Sequence, residues 1–277
     1  MTENGIGARV RRKEDKRFIT GRGNYTDDIN RHGQAHAVFL RSPHAHARIV
    51  AIDTRAAMAA GAVAVLTGKD VAEAGINGLP CGWLIHNKDG SPMKEPAHPV
   101  IALDRVRHVG DIVAMVIAES TNQARDLAEL VEVEYEVLPA AVNAVEALKP
   151  GAPQVHDDVS GNLCYDWHLG EKEPVDAAFA QAAHVTKLDV YNNRLAPNAM
   201  EPRAAIGEYD RSSDEHTLYT TSQNPHVIRL LMGAFVLGLP EHKLRVVAPD
   251  VGGGFGSKIF HYAEEAAVTW AAKVVGR

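Results

Sequence analysis

The stretch RVVAPDVGGGFGSK, residues 245–258, restricts the possible folds of this chain more than any other. An apolar run meets Gly252, Gly253, Gly254 and Gly256, which surround a single ring, Phe255, and the run closes at Lys258. Glycine admits left-handed backbone and lets another group approach the main chain without a Cβ in the way, so something is expected to lie against this segment. KLRVVAPDV reads as a strand and HYAEEAAVTWAAKVV as a helix, which gives the order strand, glycine loop, helix. A turn of that kind offers backbone N–H groups to an anion. The familiar nucleotide loops do not fit. Counted from Gly252, the Walker A pattern requires Gly-Lys-Ser/Thr where Ser257-Lys258-Ile259 stands, and GxGxxG requires glycine at Ser257. On these residues alone a plain structural glycine turn stays open.

Upstream, Ala47 to Thr67 reads as strand, alanine-rich helix, a stop at Gly61 and a second strand, a βαβ-like unit. The pattern returns over 109–137, where VEVEYEV alternates strictly. Val131, Val133, Tyr135 and Val137 take one face and Glu132, Glu134 and Glu136 the other, read as a solvated face. Residues 78–99 are rich in Gly, Pro and polar residues and read as a long loop. Pro139, Pro150 and Pro153 mark a boundary at about residue 145. Beyond it, DAAFAQAA suggests a helix, HVTKLDVYNNR, AAIGEYD and EHTLYTTSQ suggest strands, and HVIRLLMGAFVLGLP suggests a helix ended by Gly238 and Pro240.

Composition narrows the function classes. With 277 residues, 45% hydrophobic and 23% charged, the chain is of ordinary globular type and long enough for about two domains. The net charge of −6 and a short basic cluster from Arg9 to Arg17, interrupted by Glu14 and Asp15, argue against nucleic acid as a partner. Cys81 and Cys164 belong to no metal-type spacing, so neither a zinc module nor an iron–sulfur cluster is expected from this chain. No apolar leader core and no run of about 18 apolar residues is present, and the reading is a cytoplasmic, soluble protein with no membrane partner. His44 and His46 could share a strand face, but no third ligand follows and structural roles are expected. Glu201 and Arg203 read as a buried structural pair, and Trp83 as lining an entrance or covering the core.

Six ordered segments carry a resemblance. RFITGRGNYTDDI, RSPHAHARIVAID, DRVRHVGDIVAMVIAES, LAELVEVEYEVLPA, NAMEPRAAIGEYD and the run from Thr221-Ser222-Gln223-Asn224-Pro225-His226 to VGGGFGSK together resemble the large subunit of the molybdenum hydroxylases, the xanthine dehydrogenase and aldehyde oxidase superfamily. The resemblance implies an α+β protein with an N-terminal arm over 1–17, an α/β hammerhead domain over 18–145 and the start of a molybdopterin-binding domain over 146–277. It implies a molybdenum-molybdopterin cofactor in the cytosine dinucleotide form, cradled by Gln223, Gly253, Gly254, Phe255 and Gly256, with no side chain directly ligating the metal. The implied reaction is hydroxylation of an aldehyde, an N-heterocycle or a small carbon substrate with oxygen derived from water. Electrons would leave through iron–sulfur clusters and FAD on separate small and medium subunits. Family chains run several hundred residues further and carry their proton-accepting glutamate near the far end, so no catalytic residue is expected here. Glu264 and Glu265 read as helix-face residues rather than substitutes. The remainder of the large subunit is then an expected partner, and a non-catalytic assembly module or a truncated product is the alternative. Purine-oxidising members place a glutamate after the loop lysine, whereas this chain has Ile259, which leans toward the branch resembling carbon monoxide dehydrogenase large subunits.

Overall fold

The computed structural model describes residues 5–96 and 98–277. Its first part begins with helix α1 (Asp15–Ile19) and runs through β1 (His36–Arg41), β2 (Ala47–Asp53), α2 (Arg55–Ala59), β3 (Ala64–Thr67), α3 (Gly68–Glu73), β4 (Arg105–Val106), β5 (Ile112–Ala118), α4 (Thr121–Ala128), β6 (Glu132–Val137) and α5 (Ala144–Ala147). Two antiparallel three-stranded sheets result, ordered β1-β5-β3 and β4-β2-β6. IVAMVIA has no polar face because β5 is the central strand of its sheet and all seven of its residues are buried. α4 starts where expected, with the Ser120 hydroxyl accepting the Gln123 N–H at 3.2 Å.

The βαβ-like reading of 47–67 is corrected by the sheet order, because β2 and β3 lie in different sheets, as do β5 and β6. Helix length explains it. Five helical residues rise about 7–8 Å, too little to carry the chain back along a seven-residue strand of about 23 Å for parallel pairing. Each strand-helix-strand unit therefore steps from one sheet to the other and ties the two together. Glu132, Glu134 and Glu136 do face solvent, although Val137 at the end of their strand is exposed as well. Residues 78–99 form the expected loop, crossed by one isolated bridge between His86 and Pro92; Ala97 within it lies outside the described residues. Trp83 stands 80% exposed there, so it does not cover the core.

The second part contains α6 (Lys172–Gln181), β7 (Ala205–Asp210), β8 (Glu215–Thr220), α7 (Pro225–Leu230), a π-helical continuation (Leu231–Val236), β9 (Leu244–Val247) and α8 (Ala263–Val275). β8 pairs antiparallel with β7 and parallel with β9, with α7 and its continuation as the crossover. α8 rests on β7 so closely that a Cβ on Gly207 would overlap the carbonyl of Val268. Leu218, Ile228, Met232, Leu244, Ala267 and Trp270 form the core here and join Leu66, Ile101, Met115 and Ile117 of the first part in one cluster. The strand expected at HVTKLDVYNNR does not form, and residues 183–204 carry no helix or strand. A strand exists only with a neighbour to take its backbone hydrogen bonds, and nothing among the described residues lies alongside this one.

Candidate functional site

Parallel pairing of β8 with β9 sets the site, because the C-terminal ends of both strands then leave the same edge of the sheet. Gln223 follows β8 and the glycine loop follows β9, so two segments far apart in sequence emerge side by side. Pro225 at the start of α7 fixes the backbone just after Gln223. The Gln223 backbone N–H donates to the Lys258 carbonyl at 2.9 Å, and its side-chain Oε1 accepts the Gly256 N–H at 3.1 Å. A Cβ on Gly254 would collide with the same side chain. Gln223, Gly253, Gly254, Phe255 and Gly256 are thus brought together.

The loop backbone turns through left-handed conformations at Gly253 (φ +99°), Phe255 (φ +50°) and Gly256 (φ +84°). For a phenylalanine that conformation is strained. Its ring is 74% exposed and folds toward Gly253, so burial of the ring does not compensate. Among the described residues, no protein acceptor takes the N–H groups of Gly253, Gly254 or Phe255. Consecutive open N–H donors in such a turn make a concavity for an anion.

Both ends of the loop are fastened by one carboxylate. Glu201 Oε2 accepts the Gly252 N–H at 2.6 Å and pairs with Lys258 Nζ at 2.9 Å, and the same ammonium donates to the Glu201 carbonyl at 2.8 Å. The Lys258 side chain is 1% exposed and that of Glu201 13%, so the pair is largely buried. The expected partnership of Glu201 with Arg203 is therefore corrected. Arg203 places its guanidinium 3.7 Å above the ring of Tyr262, and lysine rather than arginine reaches the carboxylate because Lys258 returns to it at the loop's far end. A further clamp had no sequence signal beyond one member of the basic cluster. Arg17 pairs with Asp250, whose carboxylate also accepts the Asn24 N–H at 2.8 Å. The hydrogen bond from Arg17 is the main cause holding the Asp250 carboxyl below its ordinary pKa.

Glu264 and Glu265 are both committed to structure. Glu264 pairs with Arg41 at 2.5 Å; burial raises its pKa, but the Arg41 hydrogen bond and nearby positive charge outweigh that and the net shift is downward. Glu265, buried, accepts from Thr220 Oγ1 at 2.6 Å and from the Tyr262 N–H at 2.9 Å, which caps α8. His44 and His46 do not converge on a ligand: the first meets the ring of Tyr135 edge-on, and the second, buried, hydrogen-bonds the Pro139 carbonyl at 2.7 Å through Nδ1. A cleft of about 590 Å³ opens between the two parts of the molecule, lined by Arg31, Arg41, Arg203, Tyr262 and Glu264, and it includes neither Gln223 nor Phe255.

Two family models match the chain. Residues 20–139 match the a/b hammerhead domain of aldehyde oxidase and xanthine dehydrogenase, and residues 155–277 match the molybdopterin cofactor-binding domain. The chain belongs to the xanthine dehydrogenase and aldehyde oxidase family of molybdenum hydroxylases. It is 37% identical to the carbon monoxide dehydrogenase large chain of Afipia carboxidovorans over 98% of its own length and 34% of that relative. The nicotine 6-hydroxylase large subunit of Paenarthrobacter nicotinovorans is 36% identical over 99% of this chain and 32% of the relative. Among solved structures, quinoline 2-oxidoreductase from Pseudomonas putida 86 superposes with a TM-score of 0.88 at 36% identity, over 98% of this chain and 34% of that one. The chain therefore spans about a third of the length of each of these three relatives.

Proposed function

We propose that this chain is the cofactor-cradling part of a molybdenum hydroxylase that acts on an aldehyde, an N-heterocycle or a small carbon substrate. The observation that carries the reading is the open row of N–H donors at Gly253, Gly254 and Phe255, with Gln223 fixed beside it. These donors and the missing Cβ atoms suit a pterin dithiolene that bears a diphosphate, here in its cytosine dinucleotide form. When bound, that group supplies Lewis acidity and accepts two electrons.

Within the cradle, the backbone of Phe255 and Gly256 would hold the group, and the missing side chain of Gly256 leaves open space for it. Gln223 turns its amide toward it, since Oε1 is occupied by the Gly256 N–H and the amide donor is left for an acceptor. The Glu201–Lys258 pair fastens both ends of the loop. Glu264 and Glu265 are both engaged in structure, and by resemblance to the family the proton acceptor of the reaction would come from the other two thirds of its fold. Ile259 after the loop lysine disfavours purine. Iron–sulfur and FAD subunits take the electrons, and the assembly works in the cytoplasm; no helix among the described residues is long and apolar enough to cross a membrane.

The test is to purify the assembly that contains this chain and replace Gln223 by alanine. Turnover at least about tenfold lower with an unchanged melting temperature supports the role, on the scale of lost catalytic hydrogen bonds. Unchanged turnover rejects it.

A further inference from the structure

The cleft between the two parts of the molecule has a volume of about 590 Å³, within the range of small-molecule sites. Its lining includes four arginines, Arg31, Arg41, Arg203 and Arg277, and three of them are spent. Arg31 pairs with Glu208, Arg41 with Glu264 at 2.5 Å and Arg277 with Glu119 at 2.7 Å, and each pair joins one part of the molecule to the other. These straps hold the walls at a set separation, so the cleft is formed before anything enters it.

Arg203 is the exception. It is exposed, and among the described residues its guanidinium makes no hydrogen bond, Glu264 in the same wall being held by Arg41 instead. Stacking on the ring of Tyr262 at 3.7 Å uses the flat face of the guanidinium and leaves its N–H edge for an acceptor. That fork matches a carboxylate through two parallel hydrogen bonds. Phe39, Ile117, Val268, Ala271 and Val275 give the walls apolar surface. One uncompensated positive charge suits an anion of single charge. Asp27, which lines the same cleft and makes no ion pair among the described residues, disfavours a doubly charged phosphate.

We infer that this cleft binds a small monoanionic carboxylate with an apolar body, the carboxylate on the free edge of Arg203 and the body against Phe39, Ile117 and Val268. The inference goes beyond the cofactor reading and does not depend on it, because the cleft includes neither Gln223 nor Phe255. Lysine in place of Arg203 would keep the charge and lose the paired hydrogen bonds.

Benzoate is the probe, titrated calorimetrically into the assembly purified from its native cell, with benzyl alcohol as its neutral counterpart. Saturable benzoate binding is expected, weakened at least about tenfold by Arg203→Met and nearly as much by Arg203→Lys, while benzyl alcohol is indifferent to both substitutions. A second readout needs no variant to fold. Photoactivated 4-benzoylbenzoate, mapped by mass spectrometry, is expected to label Phe39, Ile117 or Val268, and excess benzoate to suppress the labelling. No saturable binding, binding that Arg203→Met leaves unchanged, or labelling confined to residues outside the cleft overturns the inference.

Discussion

At the level of single residues, the glycine loop is held open by a buried ion pair whose value lies in geometry rather than in net stability. Removing one partner of such a pair leaves a buried charge, so Glu201→Ala is expected to cost about 3–5 kcal/mol in urea unfolding. Glu201→Gln combined with Lys258→Met, which keeps shape and removes both charges, should recover most of that loss while the amides from Gly252 to Gly256 exchange faster. A double variant as unstable as the single one would show that the charges themselves hold the fold. Phe255 behaves differently. Its ring is 74% exposed in a left-handed conformation, so Phe255→Gly should leave stability unchanged or slightly raised, within about 1 kcal/mol, while cofactor content falls. Part of this geometry was legible: four glycines around one ring announced a close backbone approach, and the family resemblance named Gln223, which the structure places beside the loop. Lys258 as the partner of Glu201 was not legible, because the two are 57 residues apart and nothing in either's neighbourhood encodes the pairing.

Among the elements, local patterning gave the right strands and left their neighbours undetermined. The buried run IVAMVIA and the alternating VEVEYEV are unmistakable as strands, yet their patterns do not say that β5 and β6 join different sheets, as β2 and β3 do across the short α2. HVTKLDVY shows the same limit from the other side, since its alternation suggests a strand and none forms there among the described residues. Where elements do meet, the contact is close. At Gly207 the backbone of α8 sits directly on β7, and Gly207→Ala is expected to cost roughly 1–3 kcal/mol by forcing the helix outward. Calorimetry showing no change in melting temperature would mean that α8 shifts freely, and the loop it anchors would then be less fixed than described.

Across the whole molecule, the N-terminal segment is tied to the loop's entrance by Arg17 and Asn24 on Asp250. Because the folded-state pKa of Asp250 is lowered, its contribution is complete above the ordinary carboxylate range of about 4 and fades as the pH falls through the lower folded value. Faster exchange at residues 17–25 is therefore expected as the pH is taken below about 4, and Asp250→Asn should flatten that dependence. A profile unaltered by the substitution would assign the transition to another group. The length led to an expectation of about two domains, but the joining of residues such as Met115 and Ala267 in one apolar cluster depended on contacts that no local pattern connects.

The loop from Gly252 to Gly256 is proposed above as a bed for a molybdenum cofactor. Elemental analysis for molybdenum, with pterin fluorescence after oxidation, on the native assembly and on the chain alone tests it most directly. Close to one molybdenum and one pterin per copy of this chain are expected in the assembly, with neither retained by the chain alone. An assembly that carries its other subunits but neither molybdenum nor pterin would contradict it.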